Sequence, residues 1–168
     1  MFDASGNVIP AWYAATTEGG AIFETVFHDV RPSDRAPRIQ PNEYSGRFLA
    51  PVVTVRALTL VDLTSTGLHA IGLSRERLIE SRSNRYAWTN EIAARLRSGP
   101  PDSDGFAWVS RAHDTSQCVV LYDIPGHDTM IGAHPTELAI ALGIGPGLRL
   151  LRELAVRARI TLVVPSSP

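Results

Sequence analysis

The sequence predicts an α+β fold in a single domain, with a mixed central sheet flanked by helices. Strand-like and helix-like stretches follow one another along the 168 residues without the regular strand–helix–strand repeat of a doubly wound sheet. Apolar residues make up 44% of the chain, enough for a packed interior and too many for a disordered chain. The loop-like stretch Arg31–Glu43 is too short to separate two domains. Residues 1–164 are therefore predicted to form one domain, followed by a tail over 165–168.

The N-terminal elements are a predicted strand and a predicted helix. Residues Ile9–Ala15 are typical of a strand, and Thr16 or Thr17 can cap the helix that follows. Apolar side chains continue to about Val30, which predicts a helix of that length.

The next part of the chain predicts a loop, extended segments and two short helices. Arg31–Glu43 is rich in Pro, Asp, Ser and Asn and predicts the loop. The alternating and apolar residues of Arg47–Val61 predict one or two strands. Short helices are expected over Thr64–Ile71 and Ser74–Ile79.

A longer helix and two strands follow. The helix is predicted over Tyr86–Arg97 and ends at Gly99-Pro100-Pro101, because Pro cannot continue a helix. Gly105–Val109 and Gln117–Tyr122 predict two strands that lie next to each other in the sheet.

The C-terminal part predicts two helices and a closing strand. Thr136–Leu142 and Gly147–Ala158 are the predicted helices, and the glycine-rich turn Gly143–Gly147 separates them. Ile160–Val164 predicts the strand. The leucines of these helices are more typical of core than of an interface.

Charge and composition exclude several classes of protein. The net charge of −1 and the pI of about 6.5 give no field that would draw the chain to nucleic acid or an anionic membrane. All sixteen basic residues are Arg, which excludes a P-loop lysine, a Schiff-base lysine and a Ser-Lys dyad. The lone Cys118 lies in an apolar strand and is typical of an inert core thiol. With no signal peptide and no apolar stretch of about 20 residues, we expect a cytoplasmic protein.

Familiar motifs for metal, phosphate and acyl-transfer sites are missing from the sequence. The five His form no HxxxH or HxH pair, and one Cys cannot build a zinc site. Pro146 would remove a backbone donor from any phosphate cradle at Gly143–Gly147, which favours a simple turn there. Ser110 is not part of a GxSxG elbow, so a hydrolase triad is not expected.

Three side chains remain as candidates for chemistry. Tyr13 alone is an ordinary strand residue, and Ser110 alone is compatible with a turn at a strand end. Glu24 shares its predicted helix with Phe23 and Phe27, so an apolar environment that tunes carboxyl chemistry is available to it.

The order of four short motifs resembles the RES-domain family, which is named for its Arg, Glu and Ser. Pro10–Ala15 fits the family's "P-x-x-Y-x-A", and Ala21–Glu24 fits its "A-x-x-E". Asp104–Arg111 fits "D-G-x-x-x-x-S-R", and Val119–Asp123 fits the strand that ends near Asp. The resemblance extends over about Phe2–Asp123.

The resemblance implies a function as well as a fold. The fold would be similar to that of ADP-ribosyltransferase toxins, and the activity would be destruction of NAD by hydrolysis or phosphorolysis of the nicotinamide glycosidic bond. Such members are typically bacterial toxins held inactive by a helix-turn-helix antitoxin. Carried over by position, Glu24 and Ser110 would be catalytic, and Tyr13 and Arg111 would bind the NAD. The resemblance implies no metal, and a homo-oligomer is compatible with the sequence.

One position departs from the family pattern. The family Arg of "G-R-[FW]-[ND]" falls at Met1, just before Phe2-Asp3. We favour a start upstream of Met1 over a truncated member that lacks the Arg segment. Two other functions stay open: a protein mono-ADP-ribosyltransferase with the same pocket, and a non-catalytic module that only binds an antitoxin.

Overall fold

The computed structural model describes residues 10–30, 35–80, 86–97, 103–122 and 130–164. The predicted helix stop at Gly99–Pro101, the strand-end residue Asp123, the position of Met1 and the tail over 165–168 lie outside these residues.

Ten strands and five α-helices are described, which confirms the predicted α+β class. The strands are β1 (Ala11–Ala15), β2 (Arg38–Ile39), β3 (Phe48–Leu49), β4 (Val52–Thr54), β5 (Leu60–Asp62), β6 (Gly105–Val109), β7 (Gln117–Tyr122), β8 (Ile131–Ala133), β9 (Ile140–Ala141) and β10 (Thr161–Leu162). The helices are α1 (Glu18–Phe23), α2 (Ser65–Ala70), α3 (Arg75–Leu78), α4 (Tyr86–Arg97) and α5 (Gly145–Arg157), with a 3₁₀ turn at Pro41–Glu43.

The central sheet is mixed and has the strand order β1-β7-β6-β5. β7 pairs antiparallel with both β1 and β6, and β5 pairs parallel with β6. The predicted adjacency of β6 and β7 is confirmed. The remaining strands form two-stranded pairs: β2 with β10, β3 with β9, and β4 with β8.

Helix α1 is capped as the sequence predicts but ends earlier. The Thr17 side chain accepts a hydrogen bond from Gly20 N at 3.0 Å. The helix stops at Phe23 rather than near Val30, so the predicted length was wrong. A six-residue helix with two glycines has little intrinsic stability, and the chain beyond it turns so that Val26 and Phe27 enter the core.

The stretch from 47 to 61 holds three short strands instead of the one or two predicted. β3, β4 and β5 belong to three different sheets. Pro51 lies between β3 and β4, where its ring removes a backbone donor from any continuous ladder.

The predicted helix over Thr136–Leu142 was wrong. This stretch is irregular and ends in β9, which pairs with β3 through Phe48↔Ala141 and Leu49↔Ile140. The backbone hydrogen bond from Leu142 N to Arg47 O, at 3.0 Å, extends the pairing. A long-range partner for the backbone outweighs the local pattern here, and Leu138 is left 84% exposed.

Other boundaries moved by a few residues. The predicted loop Arg31–Glu43 contains β2 and the 3₁₀ turn, because β2 pairs parallel with β10. The closing strand is the two-residue β10 rather than Ile160–Val164. α5 begins at Gly145, two residues before the predicted start.

Buried residues form two cores. The sheet core lies against β6 and β7, and the α5 core surrounds helix α5. Buried members of the sheet core are Leu63, Leu68, Phe106, Val120 and Tyr122. Buried members of the α5 core are Ile22, Val26, Phe27, Ile39, Tyr44, Leu142, Leu151, Leu154, Ala155 and Ile160.

The segment around α1 contacts both the α5 core and the turn between β6 and β7. Its apolar residues Ile22, Val26 and Phe27 enter the α5 core, while its glycines approach the turn between β6 and β7. None of the helices in the described ranges has the length and apolar character needed to cross a bilayer.

Candidate functional site

The structure brings two of the sequence-predicted site residues into direct contact. Glu24 is the C-cap of α1 and is half-buried, and Ser110 directly follows β6 and is 0% exposed. The Ser110 hydroxyl donates a hydrogen bond of 2.7 Å to Glu24 Oε1, across 86 positions of sequence.

The Ser110 hydroxyl makes three hydrogen bonds. Its oxygen accepts hydrogen bonds from Ala112 N at 3.2 Å and His113 N at 3.0 Å while its proton points to Glu24. A hydroxyl has one proton and two lone pairs, so all three are used. The arrangement fixes Oε1 of the carboxylate, and no described residue hydrogen-bonds Oε2.

Two arginines make hydrogen bonds that hold the turn carrying Ser110 in place. Arg75 Nη2, from α3, donates to Val109 O at 2.9 Å and to Ser110 O at 3.2 Å. Arg111 Nη2 donates to His28 O at 2.7 Å, just beyond α1. Arg111, predicted to bind the cofactor, thus contacts backbone with at least one of its donors. The role of Arg75 was missed, because no local signal links a helix arginine to a carbonyl 34 positions away.

A second set of polar side chains lies beside this pair. Ser116 Oγ contacts Thr17 Oγ1 and lies 2.8 Å from His113 Nδ1. From the sequence, Ser110 alone was compatible with a simple turn at a strand end, and these contacts were missed. The signal that was available is the i, i+3 spacing of His113 and Ser116 next to Ser110.

Strand register places Tyr13 on the same face of the sheet as Ser110. Tyr13 pairs with Val120, which pairs with Phe106, and Ser110 N donates to Ser116 O in the same register. Paired residues share a face and residues two apart return to it, so both side chains leave the sheet on one side. They are separated by about 13 Å along the strands and about 10 Å across them, and so are not in contact. Tyr13 is 58% exposed on the edge strand β1.

The thiol nearest the site is not a nucleophile. Burial raises the pKa of the Cys118 thiol to about 12, and the negative charge of Glu24 adds to the rise. Only a thiolate attacks efficiently, so the protonated Cys118 thiol is a poor nucleophile at neutral pH.

A pocket of about 290 Å³ lies beyond α1 and is not this site. It is lined by Thr25, Val26, Asp29, Val30, Pro37, Arg38, Ile39, Glu43 and Arg47. Glu24, Ser110 and Tyr13 are not among its lining residues, so the candidate site is defined by its contacts and its shared sheet face. Within the described ranges, no group of three or more His, Cys, Asp or Glu side chains converges as a metal site requires.

A family model described as the RES domain matches residues 2–139, well over half of the chain. Neither a curated protein nor a solved structure matches it. The likeness to ADP-ribosyltransferase toxins therefore stays a prediction.

Proposed function

The chain belongs to the RES-domain family, and from that premise we propose that it destroys NAD by breaking the bond between nicotinamide and ribose. The observation that carries the proposal is the 2.7 Å hydrogen bond between Ser110 Oγ and Glu24 Oε1. It joins the acid and the alcohol that the family motifs single out, from positions far apart in sequence.

The reaction needs a fixed negative charge more than it needs an acid. When the glycosidic C–N bond breaks, its electron pair leaves with nicotinamide, which departs as a neutral molecule. The ribose then carries oxocarbenium-like positive charge, and the Glu24 carboxylate stabilises that charge where it forms. An oxygen of water or phosphate bonds to the anomeric carbon, and the proton lost from water passes to Glu24 or to solvent. The products are ADP-ribose or its 1-phosphate.

Each candidate residue has a separate part in this scheme. Ser110 holds Oε1 and leaves Oε2 to face the ribose, so its hydroxyl acts on Glu24 rather than on the substrate. Tyr13 offers an exposed ring on the same sheet face for stacking on a planar group of the NAD. Arg111 braces the turn through His28 O, and its remaining donors suit the NAD phosphates.

Family membership supports the biological setting of the proposal. The protein would act in the bacterial cytoplasm, where NAD is its substrate, as the toxin of a toxin–antitoxin pair. A helix-turn-helix antitoxin would hold it inactive. The fold would be of the ADP-ribosyltransferase type, and no metal would be required.

The decisive experiment measures free nicotinamide after NAD is mixed with the purified protein, with and without phosphate. We expect release by the natural protein and a loss of about 100-fold or more in Glu24→Gln, which keeps shape and removes charge. The matched control is Glu18→Gln, an exposed acid on the same helix, which should keep the natural rate.

The outcomes separate the alternatives. An unchanged rate in Glu24→Gln would remove Glu24 from the site. Labelled ADP-ribose transferred to a protein acceptor would indicate a mono-ADP-ribosyltransferase instead. Absence of release under both conditions would leave a module that only binds its antitoxin.

A further inference from the structure

A continuous chain of polar contacts links the start of helix α1 to the turn that holds Ser110. Thr17 Oγ1 accepts from Gly20 N and contacts Ser116 Oγ. Ser116 Oγ lies 2.8 Å from His113 Nδ1, and the backbone N–H of His113 donates to Ser110 Oγ at 3.0 Å. We call these three side chains, Thr17, Ser116 and His113, the relay.

The relay is packed directly against the backbone of α1. A Cβ added to Gly20 would lie 2.5 Å from Ser116 Oγ, and one added to Gly19 would lie 2.7 Å from His113 Nε2. Ser116 is 1% exposed. Neither the helix nor the turn can shift by much unless these contacts change.

Helix α1 needs such support to place its carboxylate. It has six residues, two of them glycine, and short helices of this kind are not stable by themselves. The hydrogen bond from Ser110 to Glu24 spans the junction between this helix and the turn. Displacement of one relative to the other by 1 Å would break it, and errors of this size cost about 100-fold in rate.

We propose that Thr17, Ser116 and His113 are positioning residues that hold Glu24 and Ser110 at hydrogen-bonding distance. The expected effect of these residues on the reaction rate rests on the proposed NAD cleavage. Their expected effect on the contact between α1 and the turn does not. The described hydrogen bond of the Glu24 carboxylate goes to Ser110 and not to the relay. If the relay also makes no contact with NAD, it should affect the rate of the chemical step and not the binding of NAD.

The kinetic test compares Thr17→Val, which removes the hydroxyl and keeps the shape, with Thr17→Ser, which keeps the hydroxyl. In Thr17→Val we expect kcat to fall by about 10- to 100-fold, with KM for NAD within about twofold. Thr17→Ser should stay within about threefold of the natural kcat. Ile79→Val, a mild core change against the sheet core, is the control for lost stability and should keep the natural kcat.

The structural test needs no catalysis. In Thr17→Val, amide hydrogen exchange should accelerate at Gly20, whose partner is removed, and by about tenfold at His113, whose amide bonds Ser110 Oγ. Exchange at Leu142, which bonds Arg47 O, should not change.

The outcomes are distinct. In Thr17→Val, faster exchange at Gly20 without faster exchange at His113 would contradict the proposed positioning role. A rise in KM with kcat unchanged would also contradict it. If the natural protein releases no nicotinamide, the proposed function fails, and exchange at His113 still decides whether the relay couples the helix to the turn.

Discussion

Ser110 is the residue on which the geometry of the site depends. Its hydroxyl makes three hydrogen bonds with no exposure to solvent. In Ser110→Ala, two backbone N–H groups and the Glu24 carboxylate lose their partner, which should lower the free energy of unfolding by about 1–3 kcal/mol. Urea unfolding measures this, and nicotinamide release should show kcat about 100-fold lower with KM little changed.

A second serine is the control for the loss of stability expected in Ser110→Ala. Ser45 is exposed, and Ser45→Ala should change the free energy of unfolding by less than about 0.5 kcal/mol. If KM rises in Ser110→Ala while kcat is kept, the hydroxyl contacts the NAD and not the acid.

Cys118 should make the folded protein sensitive to alkaline pH. The pKa of its thiol is about 12 in the fold against 9.0 for an ordinary thiol, so the unfolded chain loses this proton first as the pH rises. This contribution to stability is complete below pH 9 and is lost between about pH 9 and pH 12.

Unfolding midpoints measured from pH 8 to pH 11 check this prediction. Cys118→Ala should show a smaller fall over that range than the natural protein. The tyrosines Tyr44 and Tyr122, whose pKa values are also raised by burial, add a fall that both proteins share. Equal slopes for the two proteins would contradict the prediction.

At the scale of elements, α1 lies so close to the turn between β6 and β7 that a side chain larger than that of glycine should not fit at position 20. Gly20→Ala would force a Cβ against Ser116 and should cost about 1–3 kcal/mol of unfolding free energy. Gly46→Ala meets open space and is the control, with an expected change between zero and a gain of about 1 kcal/mol. Thermal unfolding of both variants measures the difference, and equal midpoints would mean that α1 does not pack as described.

The elements with strong local signals were predicted closely. α4, β6 and β7 have the predicted bounds, because the local sequence pattern of each agrees with the structure that its partners in the fold require. The helix over 136–142 failed because β9 exists only through its pairing with β3.

Of the predicted site residues, the structure shows one direct contact. The family motifs selected Glu24 and Ser110 as candidates, and their side chains lie in contact, while their roles remain a prediction. The contacts of Arg75, Ser116 and His113 depend on the register of β7 against β1 and β6, which one sequence does not reveal.

At the scale of the molecule, helix α5 shares a core with the segment that carries Glu24. The family match ends at residue 139, yet five of the ten buried residues of the α5 core lie beyond it, namely Leu142, Leu151, Leu154, Ala155 and Ile160. The same core holds Ile22 and Val26 on either side of Glu24.

Leu151→Ala tests this organisation. The side chain is fully buried, and its loss should cost about 2–5 kcal/mol of unfolding free energy. Val156→Ala on the same helix, 76% exposed, should change it by less than about 0.5 kcal/mol. Urea unfolding checks both values, and a small effect of Leu151→Ala would mean that α5 is not part of the core.

The sequence distance between Glu24 and Ser110 has a consequence for the cell that makes this protein. A nascent chain presents the carboxylate early, but its hydroxyl partner leaves the ribosome only 86 residues later. Until then Glu24 lacks the hydrogen bond that fixes its Oε1, so under the proposed function a prematurely terminated chain would be inactive. If the chain destroys NAD as proposed, that activity would be absent until the segment that carries Ser110 has been synthesised.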